Sequence, residues 1–131
     1  MDELPIKVSD DIVRVRQQVR SAAVASGLSL VDQTKIITAA SEIARNALIY
    51  GGGGSARIEE SASPAGRPGI RIIFTDQGPG IPDVNLALTD GWSSGNGLGL
   101  GLSGARRLVD EFDLATEAGA GTRVVVAKWS R

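Results

Sequence analysis

Between Asp76 and Gly104 the chain places eight of its 17 glycines. Seven of them fall in two runs, Asp76-Gln-Gly-Pro-Gly-Ile-Pro82 and Gly95-Asn-Gly-Leu-Gly-Leu-Gly-Leu-Ser-Gly104, with Gly91 between. Glycine has no Cβ, so it reaches positive φ and lets a ligand approach the backbone closely, but it weakens a strand interior. The alternation Gly97-Leu-Gly-Leu-Gly-Leu102 therefore predicts a loop that turns into a helix. The first N–H groups of such a helix have no intrahelical partner, which makes its start a ready site for an anion, phosphate above all. No Gly-Lys-Ser/Thr closes the stretch, so it is not a Walker loop. Its glycines also sit at unsuitable offsets for a dinucleotide fingerprint, and no strand leads directly into it.

Composition narrows the chemistry. At 131 residues the chain is expected to be one domain, residues 1–131. It has no cysteine and no histidine. That excludes disulfides, thiolate chemistry, Ser-His-Asp triads and phosphohistidine formation on this chain, and leaves proton transfer to a carboxylate, Lys or Tyr. A net charge of −1 gives no electrostatic footprint for nucleic acid or an anionic membrane. The acidic start Met1-Asp-Glu-Leu-Pro is no signal peptide, and no apolar run is long enough to span a bilayer, so a cytoplasmic location is expected.

The rest of the chain reads as an α+β layer, with helices on one face of a mixed sheet. Ile6-Lys-Val8 reads as an edge strand, and Ser9 or Asp10 as the cap of a helix. Ile12, Val15, Val19, Ala22 and Ala23 form its inner face, and Gly27 ends it. Arg14, Arg16 and Arg20 lie outside, where a solvated face is the simpler account and an acidic partner the alternative. Ser29, with Asp32 three residues on, opens a second helix carrying Ile36, Ile37, Ala40, Ile43, Ala44, Ala47 and Leu48 inward, up to Gly51-Gly-Gly-Gly54. Strands are predicted around Arg57-Ile-Glu-Glu60, at Ile70–Thr75, from Asp113 to Thr116 and at Thr122–Trp129. Short helical turns are predicted at Val84–Leu88 and a helix from about Leu100 to Phe112.

Three further features bear on the glycine stretch. Glu42 and Asn46 are four apart and share a helix face beside the apolar stripe, where an unpaired carboxylate would be costly to bury. An Asn carbonyl together with phosphate oxygens suits Mg²⁺, which takes oxygen ligands and retains waters. Glu42 then stands nearest to accept a proton from an attacking hydroxyl. Asp76 lies at a strand end before Gly78 and Gly80, where a carboxylate can accept from an exocyclic amine while the glycines admit a flat base. Gly119-Ala-Gly-Thr122 puts a hydroxyl at the start of a strand. Taken singly, each has an ordinary structural explanation as an exposed polar pair or a turn.

Together they resemble the GHKL ATP-binding domain of gyrases, heat-shock chaperones, histidine kinases and mismatch-repair ATPases. Glu42-x-x-x-Asn46 looks like its N box, Asp76-x-Gly-x-Gly80 like its first glycine box, Gly95–Gly101 like the second, and Gly121-Thr122 like the last. The resemblance implies a Bergerat-type, two-layer ATP site. Asp76 would hold the adenine amine, with Gly78, Gly80 and Ile81 beside it and Thr122 near the base. Asn46 would be the Mg²⁺ ligand, and Gly95, Gly97, Leu98, Gly99, Leu100 and Gly101 would lie at the phosphates. Ile81–Asn96, which includes Trp92, would be a mobile lid.

No phosphoacceptor histidine is present, which points to the free-standing anti-sigma and switch serine kinases of bacterial stress signalling. The segments Asp90-Gly-Trp-Ser-Ser and Arg107-Leu-Val-Asp-Glu-Phe112 resemble that class further. Two departures stand out: Ser103 where the family suggests proline, and the four glycines at Gly51–Gly54, neither expected to touch a ligand. The implied activity is ATP- and Mg²⁺-dependent phosphorylation of a serine or threonine on a STAS-domain partner, with Glu42 as catalytic base. Binding and activation of a phosphatase partner would accompany it. An anti-sigma factor that sequesters a sigma subunit and a non-catalytic nucleotide-binding adaptor are the alternatives. Glu42 counts against the adaptor, because binding alone needs no carboxylate there.

Overall fold

The computed structural model describes residues 3–49, 51–78, 101–117 and 121–131. Over these the chain forms β1 (Glu3–Ile6), α1 (Ser9–Ala25), α2 (Leu30–Ile49), β2 (Gly54–Ala62), β3 (Pro68–Asp76), α3 (Gly101–Arg107), β4 (Glu111–Glu117) and β5 (Gly121–Trp129). The helical turns expected at Val84–Leu88 lie outside the described residues.

The strands form one sheet in the order β1-β2-β3-β5-β4, and every neighbouring pair is antiparallel. The α+β expectation holds, but the mixed sheet does not. β3 and β4 run in the same direction, as strands joined through a helix should. The final strand enters between them and pairs antiparallel with both, in the manner of a split β-α-β unit.

Strand alternation assigns the two faces. On one face Ala56, Ile58, Ile70, Ile72, Phe74, Val124 and Val126 are buried against Val15, Val19 and Ala23 of α1 and Ile36, Ala40, Ile43 and Ala44 of α2. Each large aliphatic side chain removed from water there contributes roughly 1.5–3 kcal/mol. On the other face Arg57 pairs with Glu59 at 3.1 Å, and the Arg71 guanidinium lies 5.9 Å from the centre of the Trp129 ring, whose Nε1–H donates to Glu111.

The helix ends depart from expectation in instructive ways. Neither Ser9 nor Asp10 caps α1. Val8 is the boundary residue, and Asp11 reaches back to accept the Lys7 and Val8 N–H groups at 2.8 and 3.1 Å. Those two backbone donors, aided by Arg14, outweigh burial and hold the Asp11 carboxyl below its ordinary value of 3.8. Of the expected arginine face, Arg14 pairs with Asp11 at 2.6 Å, whereas Arg16 and Arg20 are exposed. Gly27, at φ 79°, ends α1 as expected, and the Leu28 N–H returns to the Ala23 carbonyl at 3.1 Å.

Ser29 accepts the Asp32 N–H at 3.1 Å, but the Asp32 carboxylate does not complete the capping box. It turns instead to Lys128 Nζ at 3.5 Å and Arg131 at 3.7 Å. α3 stops at Arg107, well before Phe112. Leu108 closes a tight turn on Ala105, Asp110 N–H donates to the Ala127 carbonyl, and the chain joins the sheet at Glu111. Helical spacing fits Leu108, Val109 and Phe112 equally well on paper. The two-residue alternation of exposed Glu111, Asp113 and Ala115 with half-buried Phe112, Leu114 and Thr116 decides for a strand. No described helix is long and apolar enough to cross a membrane.

Candidate nucleotide-binding site

The site begins where the core runs out along β3. Ile70, Ile72 and Phe74 are buried on the helix face, and Asp76, next in that alternation, carries a carboxylate to the end of the same face. In register it lies between Gly54 of β2 and Thr122 of β5, and Thr122 in turn lies opposite Thr116 of β4. Asp76, Thr122 and Thr116 thus form a polar row across three strands. They line an open cleft of about 280 Å³ together with Gln77 and Gly121. That is close to the lower end of the roughly 300–1,000 Å³ common for small-molecule sites.

The row is internally ordered. Asp76 Oδ1 accepts the Gly78 N–H at 2.9 Å, and among the described residues Oδ2 has no partner. Thr116 and Thr122 hydroxyls lie 3.0 Å apart, and Thr116 Oγ1 is 3.3 Å from the Gly121 carbonyl.

Glycines permit the close packing around Asp76. A Cβ on Gly51 would come within 2.5 Å of Asp76 Cγ, and one on Gly78 within 2.6 Å of Gly51 Cα. Gly121, at φ 100°, presses on the Asp76 carbonyl. The glycine run after α2 stood out in the sequence only as a departure from the family pattern. In the fold its first member, Gly51, packs beside the Asp76 carboxylate.

Glu42 and Asn46 stand one turn apart on α2, about 6 Å along its axis. Both are half-buried at the edge of the stripe formed by Ala39, Ile43 and Ala47. Among the described residues neither side chain has a hydrogen-bond or ionic partner. The Asn46 carbonyl accepts the Gly51 N–H at 3.3 Å, so one backbone bond and one close contact connect the end of α2 to Asp76. Gly101 is buried at the start of α3 with φ 64°, and α3 packs on α2. Of the predicted site residues, the structure therefore places Glu42, Asn46, Asp76, Gly78, Gly101 and Thr122. Gly80, Ile81, Gly95, Gly97, Leu98, Gly99 and Leu100, and the Ile81–Asn96 segment with Trp92, lie outside the described residues.

Two residues were missed, Thr116 in the cleft and Gly51 behind Asp76. Thr116 was legible in principle: pairing of Glu117 with Gly121 sets it opposite Thr122. Gly51 carried no such signal, because its contact with Asp76 depends on how α2 docks on the sheet.

Residues 31–130 match the family of histidine kinase-, DNA gyrase B- and HSP90-like ATPases. The chain belongs to that family. It is 49% identical over 121 residues to serine/threonine-protein kinase RsbT of Bacillus subtilis (strain 168), covering 92% of this chain and 90% of that one. The fold also matches the RsbU and RsbW domains of a Mycobacterium tuberculosis protein (TM-score 0.64, 21% identity, all of this chain and 33% of that one). The histidine kinase domain of an Erythrobacter litoralis blue-light activated kinase matches less closely (TM-score 0.53, 18% identity, 95% of this chain and 60% of that one). The chain thus spans a third and three-fifths of these two structures, and at such identities they speak for the fold. Its α+β layer is the Bergerat fold of the family. Its activity, from the extent and level of identity to the Bacillus protein, is that of a protein serine/threonine kinase, with ATP as the implied nucleotide.

Proposed function

We propose that the chain, acting as a single domain over residues 1–131, is a cytoplasmic partner-switching kinase. It binds Mg-ATP at the Asp76 end of the sheet, transfers the γ-phosphoryl group to a serine or threonine of a STAS-domain protein, and binds and activates a phosphatase. The observation that carries this most directly is the polar row Asp76–Thr122 beside glycines that bring Gly51 and Gly78 against the carboxylate. Among the described residues nothing occupies Asp76 Oδ2, which suits an exocyclic amine, and the cleft beside it is open.

The residues fit a metal that is shared with substrate. Among the described residues no cluster of three or more carboxylates could cage an ion, and the Asn46 side-chain amide oxygen, without a partner among those residues, suits Mg²⁺ completed by phosphate oxygens and water. When bound, Mg²⁺ would neutralise phosphate charge. Glu42, one turn away, would hold the partner's hydroxyl in line. The hydroxyl oxygen bonds to the γ-phosphorus as the bond to the β–γ bridging oxygen breaks. ADP leaves, and the hydroxyl proton passes to the Glu42 carboxylate.

A direct test incubates the full chain with labelled Mg-ATP and STAS-domain proteins. Label on a STAS serine or threonine, lost in Asp76→Ala, is the expected result. Capture of a sigma factor with no transfer to any STAS protein would replace this proposal with an anti-sigma role.

A further inference from the structure

Base selection at this cleft needs more than Asp76. Adenine presents an N–H donor on its exocyclic amine beside a ring-nitrogen acceptor. Guanine presents a carbonyl acceptor beside a ring N–H donor. An ionised carboxylate only accepts, so Asp76 answers the exocyclic position. Its neighbour in the row, Thr122, must answer the ring position, and a threonine hydroxyl can either donate or accept. Nothing in Thr122 alone decides which.

Thr116 supplies the missing constraint. Its hydroxyl lies 3.0 Å from Thr122 Oγ1, either atom being able to donate, and 3.3 Å from the Gly121 carbonyl, to which it can only donate. If Thr116 gives its proton to Thr122, one lone pair of Thr122 is occupied and its own proton is directed into the cleft as a donor. If Thr116 gives its proton to Gly121, Thr122 donates to Thr116 and presents only lone pairs to the cleft. Hydroxyl hydrogen bonds strengthen toward about 2.7–2.8 Å, so the 3.0 Å contact is the better of the two.

We propose that Thr116 is a positioning residue that orients the Thr122 proton toward the cleft, so that the row reads acceptor then donor and selects adenine over guanine nucleotides. This rests on Asp76 and Thr122 forming the base site, as in the proposed function. The device sits on a strand pairing, where Thr116 and Thr122 are held directly opposite, so the relay needs no loop to close.

The experiment measures Mg-ATP and Mg-GTP affinity by calorimetry on the full chain and on Thr116→Val, Thr116→Ser, Thr122→Val and the Thr116→Val/Thr122→Val pair. Thr116→Val keeps shape and strand preference but has no proton to give. It is expected to weaken ATP by roughly three- to tenfold, the worth of one neutral hydrogen bond, and to shrink the ATP:GTP ratio by a similar factor. Thr116→Ser should restore both. In the Thr122→Val background the Thr116 substitution should have no further effect, because the two act as one unit.

Unchanged affinities in Thr116→Val, with Asp76→Ala still losing ATP, would overturn the relay and leave the base site standing. An undiminished Thr116→Val effect in the Thr122→Val background would also overturn it, since the residue would then act through the strand. If Asp76→Ala too binds ATP normally, the base site and the relay both fall. Melting curves of each variant separate loss of fold from loss of selectivity.

Discussion

The two ends of β5 use polar groups in opposite ways. At its start Thr122 sits in the open row with Asp76 and Thr116 that lines the cleft, where Asp76 Oδ2 has no partner among the described residues. Near its end Lys128, only 3% exposed, lies 3.5 Å from Asp32 and 3.6 Å from Asp110, with Arg131 bonded to Asp110 at 2.8 Å. Asp110 also accepts the Trp129 N–H at 2.8 Å. Burial pushes the Asp110 carboxyl up, but the Trp129 N–H, Lys128 and Arg131 together outweigh it and hold it below its ordinary value of 3.8. Each of these four charges has a partner from another element, tying α2 and the α3–β4 turn to β5. A fully partnered cluster contributes rigidity and offers a ligand nothing. A row with spare capacity costs stability and offers recognition. Placing the two at opposite ends of one strand lets a fixed end support an adaptable one.

Substitutions at the two ends should therefore fail differently. The largest effect is expected at the open end, in the chemistry. Glu42→Gln keeps shape and hydrogen bonding but cannot take the proton, so phosphoryl transfer should fall by about 10²–10⁴ while ATP affinity holds. Transfer at the wild-type rate would make Glu42 structural. Next, Lys128→Met should unfold the chain more readily, by about 3 kcal/mol or a fall in Tm of about 10 °C. That is the low end for breaking a buried pair, because Arg131 stays beside both carboxylates. Its ATP affinity below the melting transition should match wild type, and a weakened affinity there would erase the contrast between the ends.

Asp76→Ala should lose a charge-assisted hydrogen bond, about 1.5–3 kcal/mol or roughly ten- to a hundredfold in ATP affinity, with Tm little changed. The companion Asn46→Ala should weaken binding only when Mg²⁺ is present, which calorimetry with and without the metal resolves. The smallest effect is in acid. The carboxyls of Asp110 and Asp11 titrate below 3.8 in the fold, so the stability they contribute is complete above that pH and is lost as pH falls through their lower native values. Thermal melts between about pH 5 and pH 2 should show Asp110→Asn losing less stability than wild type over that interval.

How much of this was legible depended on how local each feature is. The stripe from Ile36 to Leu48, the strand delivering Asp76 and the valine-rich last strand are set by periodicity within a few residues, and the structure has them. The mixed sheet expected from the order of elements failed although β3 and β4 run the same way, because β5 enters between them, a choice made by long-range packing. The overlong third helix failed because Leu108, Val109 and Phe112 satisfy two periods at once. Asp32 was expected to cap and instead meets a lysine from the other end of the chain. The contact of Gly51 with Asp76 joins a helix end to a strand end that no spacing relates.

The insertion of β5 also bears on how the protein is made. The partner that covers the inner edges of both β3 and β4 is β5, which is made after the other described strands of the sheet. Until it arrives, β3 has β2 on one side only, and its other edge, with Ile70, Ile72 and Phe74 beside it, offers unpaired backbone groups to any neighbouring chain. The pairing that removes this hazard joins residues far apart in sequence, so it forms late and slowly. A chain in which β5 is not yet made, or has been clipped away, is thus the form most prone to stick to its own kind, and docking of β5 between β3 and β4 is the step that ends that exposure.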